Sequence, residues 1–347
     1  MFIKTEKETS LLHPDWPEAK WHVSGLYNYR IFLKIFTNQM NGHQILSAIG
    51  SLHGCPDLPW NGGYLNANVP CTDSSRFFTA LNKHNMGAFL TCTNLLVEQQ
   101  HLSHVEANLI LDQLDKTNTS GLNGVVVVSD LLSHYIRDKK PGLKQICSYE
   151  KALFENPEGH YEWYKQMQER FDRVILLPDH VFNLELLDKL DRDRTEILVN
   201  DECVYRCPVR KRHLTAISRF NLQPSKPIAD ELKDIKQNHC AGEFGIISEK
   251  KNPAHVRPNV LRYDELKTIY DMGFRHFRIC GRRKSIFGLA WNVIHFIYNP
   301  AFAPQFATVF AHKIDENFKE EFKKLGQAGL QQQTSPQGMA AGKPDIV

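Results

Sequence analysis

Short apolar runs rich in β-branched residues recur along this chain, and most are followed by a stretch whose apolar positions repeat at helical spacing. The runs are Leu46–Gly50, Gly87–Thr93, Gly124–Ser129, Lys144–Ser148, Arg173–Leu177, Glu196–Asn200, a weak one at Ala254–Arg257, and Phe274–Cys280. Of the helical stretches, Ser103–Leu114 opens on a cap-like Ser103 with Glu106 three residues on. Asp130–Asp138 and Asn183–Leu190 are short amphipathic pieces. Asp264–Met272 places Leu266, Ile269 and Tyr270 on one face and stops at Gly273. Continuous apolar strands alternating with helices predict a parallel sheet covered on both faces. Eight such units predict an α/β fold, a closed (β/α)8 barrel of TIM type, distorted where the first and seventh strands are weak. An open, doubly wound sheet is the alternative.

The predicted barrel occupies residues 45–312. Residues 1–44 are expected to pack on it as an N-terminal extension. Residues 313–347 are expected to form a C-terminal helix and a disordered tail, because the sequence from Gln327 onward is rich in Gln, Gly and Pro. Asn221–Gln237 is polar and holds two prolines, and reads as an insertion between strands six and seven that returns Cys240 to the barrel. Ser285–Phe302 comes nearest to a spanning segment, but Asn292, His295 and Asn299 interrupt it, so a docking helix is expected and no membrane span.

Charge and composition narrow the picture only a little. A net charge of +3 over 347 residues does not indicate nucleic acid. Basic residues gather at Arg206–Arg212 and Arg275–Lys284, either as a solvated face or as an anion-binding rim. Met1–Glu6 has no apolar stretch, so no secretory signal is expected. The eight cysteines are therefore placed in a reducing, cytoplasmic setting, where thiols serve metals, catalysis or the core.

Barrels of this kind carry their chemistry at the C-terminal ends of the strands. His53, Asn94, Ser129, Asp130, Cys147, Asn200, Cys203 and Cys280 with Arg282 fall at such ends. The densest signal is Cys203-Val204-Tyr205-Arg206-Cys207-Pro208 after the sixth apolar run, with Cys240 further on. Pro208 disfavours helix at Cys207, so a loop or helix start is expected there, on which both sulfurs can meet one ion. Clustered thiolates select zinc or an iron–sulfur cluster over calcium or magnesium. A fourth ligand stays open. His213 would complete a zinc-type set, while Cys280, Cys147 or Cys55 would give four sulfurs. The plain alternative for Cys280 and Cys147 is a small core residue, and Cys92 reads as core. Trp60-Asn61-Gly62-Gly63 is either a substrate-contacting loop at the mouth or an ordinary turn. Arg257 and Arg282 are candidates to hold a carboxylate or phosphate.

The segment from Leu198 to His213 resembles the Asn-x-x-Cys-x-x-x-Cys-Pro-x-Arg-x-x-His element of the collagenase-like peptidase family. The stretch from Arg257-Pro258 through Tyr270 and Gly273 to Gly281-Arg282 is similar to that family's ending, and Trp60–Gly63 to a loop near its start. The resemblance covers roughly residues 45–300. It implies a (β/α)8 barrel and a four-iron four-sulfur (4Fe-4S) cluster held by Cys203, Cys207 and Cys240, with Cys280 as the fourth candidate and zinc as the alternative metal. It also implies oxygen-independent hydroxylation or a related redox modification of a small or tethered anionic substrate, with a related partner subunit, or else peptide hydrolysis. Non-catalytic, zinc-stabilised binding is a third expectation. Asn200, Glu202, Arg257 and Arg282 are the catalytic candidates, and Trp60, Asn61, Arg257 and Arg282 the substrate-binding ones. Asp201-Glu202 and Cys280 depart from the family pattern.

Overall fold

The computed structural model describes residues 10–27, 42–63, 74–239, 257–281, 286–312 and 315–316. Its strands are β1 (Lys20–Ser24), β2 (Ile49–Gly54), β3 (Gly87–Cys92), β4 (Gly124–Val127), β5 (Lys144–Cys147), β6 (Arg173–Ile175), β7 (Thr195–Leu198), β8 (Asn200–Val204), β9 (Pro258–Val260) and β10 (His276–Ile279). The helices are α1 (Gly42–Ala48), α2 (Ser75–Lys83), α3 (Val105–Lys116), α4 (Asp130–Lys139), α5 (Tyr149–Glu155), α6 (Tyr161–Arg170), α7 (Leu184–Lys189), α8 (Arg210–Leu222), α9 (Lys226–Asp234), α10 (Tyr263–Asp271) and α11 (Ile286–Ile297).

Eight strands close into a barrel in the order β1-β10-β7-β6-β5-β4-β3-β2, every pair parallel. The expected (β/α)8 architecture is therefore present, but the first run, Leu46–Gly50, is helical through Ala48 with its strand β2 starting only at Ile49, and two further members differ from the sequence reading. The strand that closes the barrel is β1, which lies inside the stretch 1–44 expected to pack outside it. Its pattern, Trp-His-Val-Ser, alternates because one face meets a polar lumen, so it does not read as a continuous apolar run. Of the weak seventh run, 254–256 lie outside the described residues, and Arg257 leads into β9, which pairs antiparallel with β8 in a separate two-stranded ladder. The whole excursion from β8 to β9 thus interrupts the last β-to-β connection of the barrel. The terminal segment 313–347 lies outside the described residues apart from 315 and 316.

Outside the strands, the main core packs the barrel wall against the helices. Trp21 packs against Phe277, tilted, and Phe296, stacked, with ring centroids 5.3 and 5.8 Å away. Cys92 and Cys147 belong to this core. Ser285–Phe302 yields α11, whose Leu289, Val293, Ile294 and Ile297 are buried against it. No helix among the described residues is long and apolar enough to cross a membrane. The cap of α3 is His104 and not Ser103: its imidazole accepts the Ala107 N–H at 3.3 Å. Gly273 takes φ +100 after α10, the left-handed turn that its position predicted.

The lumen is split. On one side Phe89, Val126, Ile146 and Ile175 form an apolar plug. The Phe89 ring fits there because Gly87 and Gly124 leave space; a Cβ at either would lie 2.9 or 2.5 Å from it. On the other side the lumen is charged. Glu196, fully buried, accepts from Arg173 Nε at 2.9 Å and Arg278 Nε at 2.8 Å, and His22 lies 3.7 Å away. His22 in turn bonds Ser51 at 2.7 Å and His276 at 3.1 Å. Burial pushes the Glu196 carboxyl up, but Arg278, His22 and Arg173 outweigh it and hold the group well below the usual carboxylate range. Burial also lowers His276 to about 4.

The two shifts give stability the same pH dependence. Folded Glu196 ionises below its ordinary value of 4.5, so its contribution is full above that pH and drains away as pH falls. Folded His276 stays neutral between 6.5 and about 4 while the unfolded chain binds the proton, so stability falls through that window as well. The urea midpoint should therefore drop between pH 7 and pH 5 and drop further below. Glu196→Ala, which strands the buried Arg278 guanidinium and the partly buried one of Arg173, should cost about 3–5 kcal/mol in urea unfolding. A loss under about 1 kcal/mol would show that the network is dispensable.

Candidate metal centre at the barrel mouth

Beyond β7 the chain leaves the barrel at Val199, runs through β8, turns over Tyr205-Arg206, and starts α8 at Arg210. Cys203 ends up in β8 and Cys207 in the turn just ahead of α8, as the loop-or-helix-start reading of Pro208 expected. Both are half-buried free thiols. The two thiols shift each other in opposite directions. Interaction with Cys203 draws Cys207 down to about 6 against the opposing effect of burial, and the N–H groups of Val209 and Arg210 together with the Arg210 charge act in the same direction. Interaction with Cys207, together with burial, moves Cys203 well above its ordinary value. Negative charge is thus favoured on Cys207, at the start of a helix.

A buried guanidinium underlies this pair. Arg210 donates from Nη1 to Asp179 Oδ2 at 3.0 Å, and from Nη2 to Asp179 Oδ1 at 3.2 Å and Val204 O at 2.6 Å. Asp201 Oδ2 lies 3.6 Å from Nη2. Asn259 on β9 donates to both carboxylates, at 3.2 Å to Asp179 and 3.3 Å to Asp201. Burial lifts Asp201 above its ordinary value in spite of Arg210, Asn259 and the Cys203 N–H. The Arg210 Nε atom is buried without a hydrogen-bond partner among the described residues. Below, Tyr149 packs on the apolar plug of the lumen. Burial, with Glu150, Asp201 and Cys280 around it, keeps its phenol protonated.

The far end of α8 is fixed independently. Asn221 donates to the carbonyls of Asn61 at 2.7 Å and Gly63 at 2.8 Å, and Asn94 donates to Ser218 O at 3.0 Å. Gly62 passes so close to β3 that a Cβ there would lie 1.9 Å from Thr93 O. The Trp60–Gly63 loop is thus a seat for α8. Trp60 is fully buried, with its indole N–H on His101 O at 2.9 Å, and Asn61 is buried as well.

The other expected site residues divide clearly. Asn200 spends its amide on the backbone of Cys280, accepting its N–H at 2.7 Å and donating to its carbonyl at 2.9 Å, which brings Cys280 to the mouth beside β8. Arg257 pairs with Glu265 and lies 3.7 Å over the Phe182 ring. Cys147 faces away from the lumen into the core, where burial pushes its thiol far up, so it is not brought to the cysteine pair. Cys55 packs against the main core at the end of β2. His213 sits on the first turns of α8. Among the described residues no three His, Cys, Asp or Glu side chains converge on one ion position. Cys240, Arg282 and the Glu202 side chain lie outside the described residues. Asp179, Asp201, Asn259 and Tyr149 were not anticipated. Asp179 had a signal: it follows the fifth apolar run, at a strand end.

A cleft of about 440 Å³ opens on the same face between the loops after β3, β4 and β5 and helix α8. Leu95, Leu96, Val128 and Phe154 give it an apolar side. Asp130, Glu150 and Glu155 set three carboxylates against Lys151, which bonds Asp130 at 2.9 Å and Glu155 at 2.6 Å.

No protein-family model matches the chain, and no curated protein matches it by sequence. Among solved structures, the U32 peptidase Mk0906 resembles it with a TM-score of 0.47 and 12% identity, over 82% of this chain and 98% of that one. A likeness of that depth concerns the course of the chain and leaves its chemistry open.

The thiol pair sets a test of its own. In metal-free, reduced protein, Cys207 should react with iodoacetamide with a midpoint near 6 and Cys203 should lag behind it, as read by peptide mass spectrometry. A Cys207 midpoint at the ordinary value of 9.0 would contradict the geometry described.

Proposed function

We propose that Cys203 and Cys207 are two ligands of a soft metal centre at the barrel mouth, with Cys240 as the third and Cys280 as the leading fourth. The observation that carries this reading is the placement of two half-buried free thiols on one turn at the barrel mouth, Cys203 in β8 and Cys207 just ahead of α8. Several features agree with it. The donor set is of the kind zinc and iron–sulfur clusters take. Cys240 directly follows the π-helical turn Ile235–His239 that continues α9. Cys280 is tied to the start of β8 through Asn200. The buried Arg210 Nε, without a partner among the described residues, offers a donor to an anionic thiolate–metal group.

The resemblance of this segment to the collagenase-like peptidase family favours a 4Fe-4S cluster, which would supply one-electron transfer. The activity we assign is oxygen-independent hydroxylation or a related redox modification. Its substrate is small or tethered and enters the cleft beside α8, where Leu95, Leu96, Val128 and Phe154 offer packing and Lys151 a charged donor. No observation favours peptide hydrolysis over this.

Purification without oxygen, followed by analysis of iron, acid-labile sulfide and zinc, tests the reading. About four irons and four sulfides per chain are expected. Cys203→Ser and Cys207→Ser should each remove most of the iron. Cys147→Ser, on the core side of β5, should leave it in place. One zinc without iron would replace the redox assignment by a structural centre. Neither metal, or full iron in Cys203→Ser, would overturn the ligand assignment.

A further inference from the structure

Arg206, between the two cysteines, has φ +51, in the left-handed region that residues other than glycine rarely adopt. A conformation of that kind persists only where its surroundings impose it. Here the Arg206 N–H donates to Asp179 Oδ1 at 3.0 Å. The same carboxylate takes the Arg210 fork on both oxygens and the Asn259 amide. Asp179 lies just beyond β6, on the barrel wall, and its side chain is only 13% exposed. One carboxylate therefore grips the cysteine loop at two points, the backbone of its strained residue and the first residue of α8, and ties both to the end of a barrel strand.

We infer that Asp179 is the positioning residue of the cysteine pair: it holds the turn between Cys203 and Cys207 closed, and so sets the approach of the two sulfurs. Asp201 cannot substitute for it. Asp201 is on β8, the same strand as Cys203, and approaches Arg210 only from a longer distance. Without Asp179 the Arg206 backbone has no reason to remain left-handed, and relaxation there swings Cys207 relative to Cys203. In its consequence for metal loading the inference rests on the reading above; in its geometry it does not.

The test uses the full-length, reduced, metal-free protein and dibromobimane, which becomes fluorescent on bridging two neighbouring thiols, with the Cys203–Cys207 link read by peptide mass spectrometry. Wild type should cross-link the pair. Asp179→Ala should cross-link it about tenfold more slowly, the scale set by the cost of a left-handed residue. Asp179→Asn keeps an acceptor for the Arg206 N–H and should fall between the two. Arg206→Gly placed in the Asp179→Ala background should recover most of the rate, because glycine accepts positive φ without help. A purely structural role would not produce that rescue. Wild-type cross-linking in Asp179→Ala would overturn the inference. So would loss of its near-UV circular dichroism, which would assign Asp179 to the barrel's stability and not to the loop. If cross-linking behaves as expected and the wild-type protein isolated without oxygen holds no metal, positioning stands and the metal reading fails.

Discussion

The site depends on the burial of one positive charge. Arg210 lies at the first turn of α8, where a cation meets the wrong end of the helix dipole, and it is largely removed from water. Burial of that kind costs several kcal/mol unless partners compensate. Asp179 from the turn beyond β6, Asp201 and the Val204 carbonyl from β8, and the neighbouring cysteine do so. Asp179 comes from the loop after β6 and the other partners from β8 and the turn that follows it, so satisfying Arg210 brings those two parts of the chain together. The cysteine loop is closed as a consequence.

The second anchor of α8 is chemically different. Asn94, Asn221 and Ser218 join backbone carbonyls and amides without charge, and Gly62 allows the loop after β2 to lie against β3. A helix held by ions at its start and by amides near its end has little freedom to tilt. The barrel below is also divided by chemistry. An apolar plug supports Tyr149 on one side, while Glu196 pairs with both Arg173 and Arg278 on the other. The polar half explains why β1 was invisible as an apolar run, since His22 and Ser24 occupy its inward alternation.

Much of the barrel was legible because its outer face is read directly as β-branched runs: β3 to β7 and β10 fall where those runs fall. The closing strand was missed, since a strand with a polar lumen face does not announce itself by hydrophobicity. Of the weak run Ala254–Arg257 only Arg257 falls among the described residues, where it leads into β9 and not into a barrel strand. The cysteine pair and its position at the mouth were legible from spacing and from Pro208. The carboxylates beneath it were not, because Asp179 and Asp201 acquire their roles only when β6, β8 and α8 meet, and Arg210 looked like one of several surface cations. Trp60 looked like a substrate contact and is a buried packing residue instead. Cys147 was placed at a strand end correctly, but the strand's alternation turns it outward.

The most direct test of the central claim is anomalous diffraction at the iron and zinc edges from crystals grown without oxygen. The account requires a metal peak at bonding distance from both Cys203 Sγ and Cys207 Sγ, with Arg210 still clasped by Asp179 beneath it. The two sulfurs in mutual contact or joined as a disulfide, with no metal peak beside them, would contradict it.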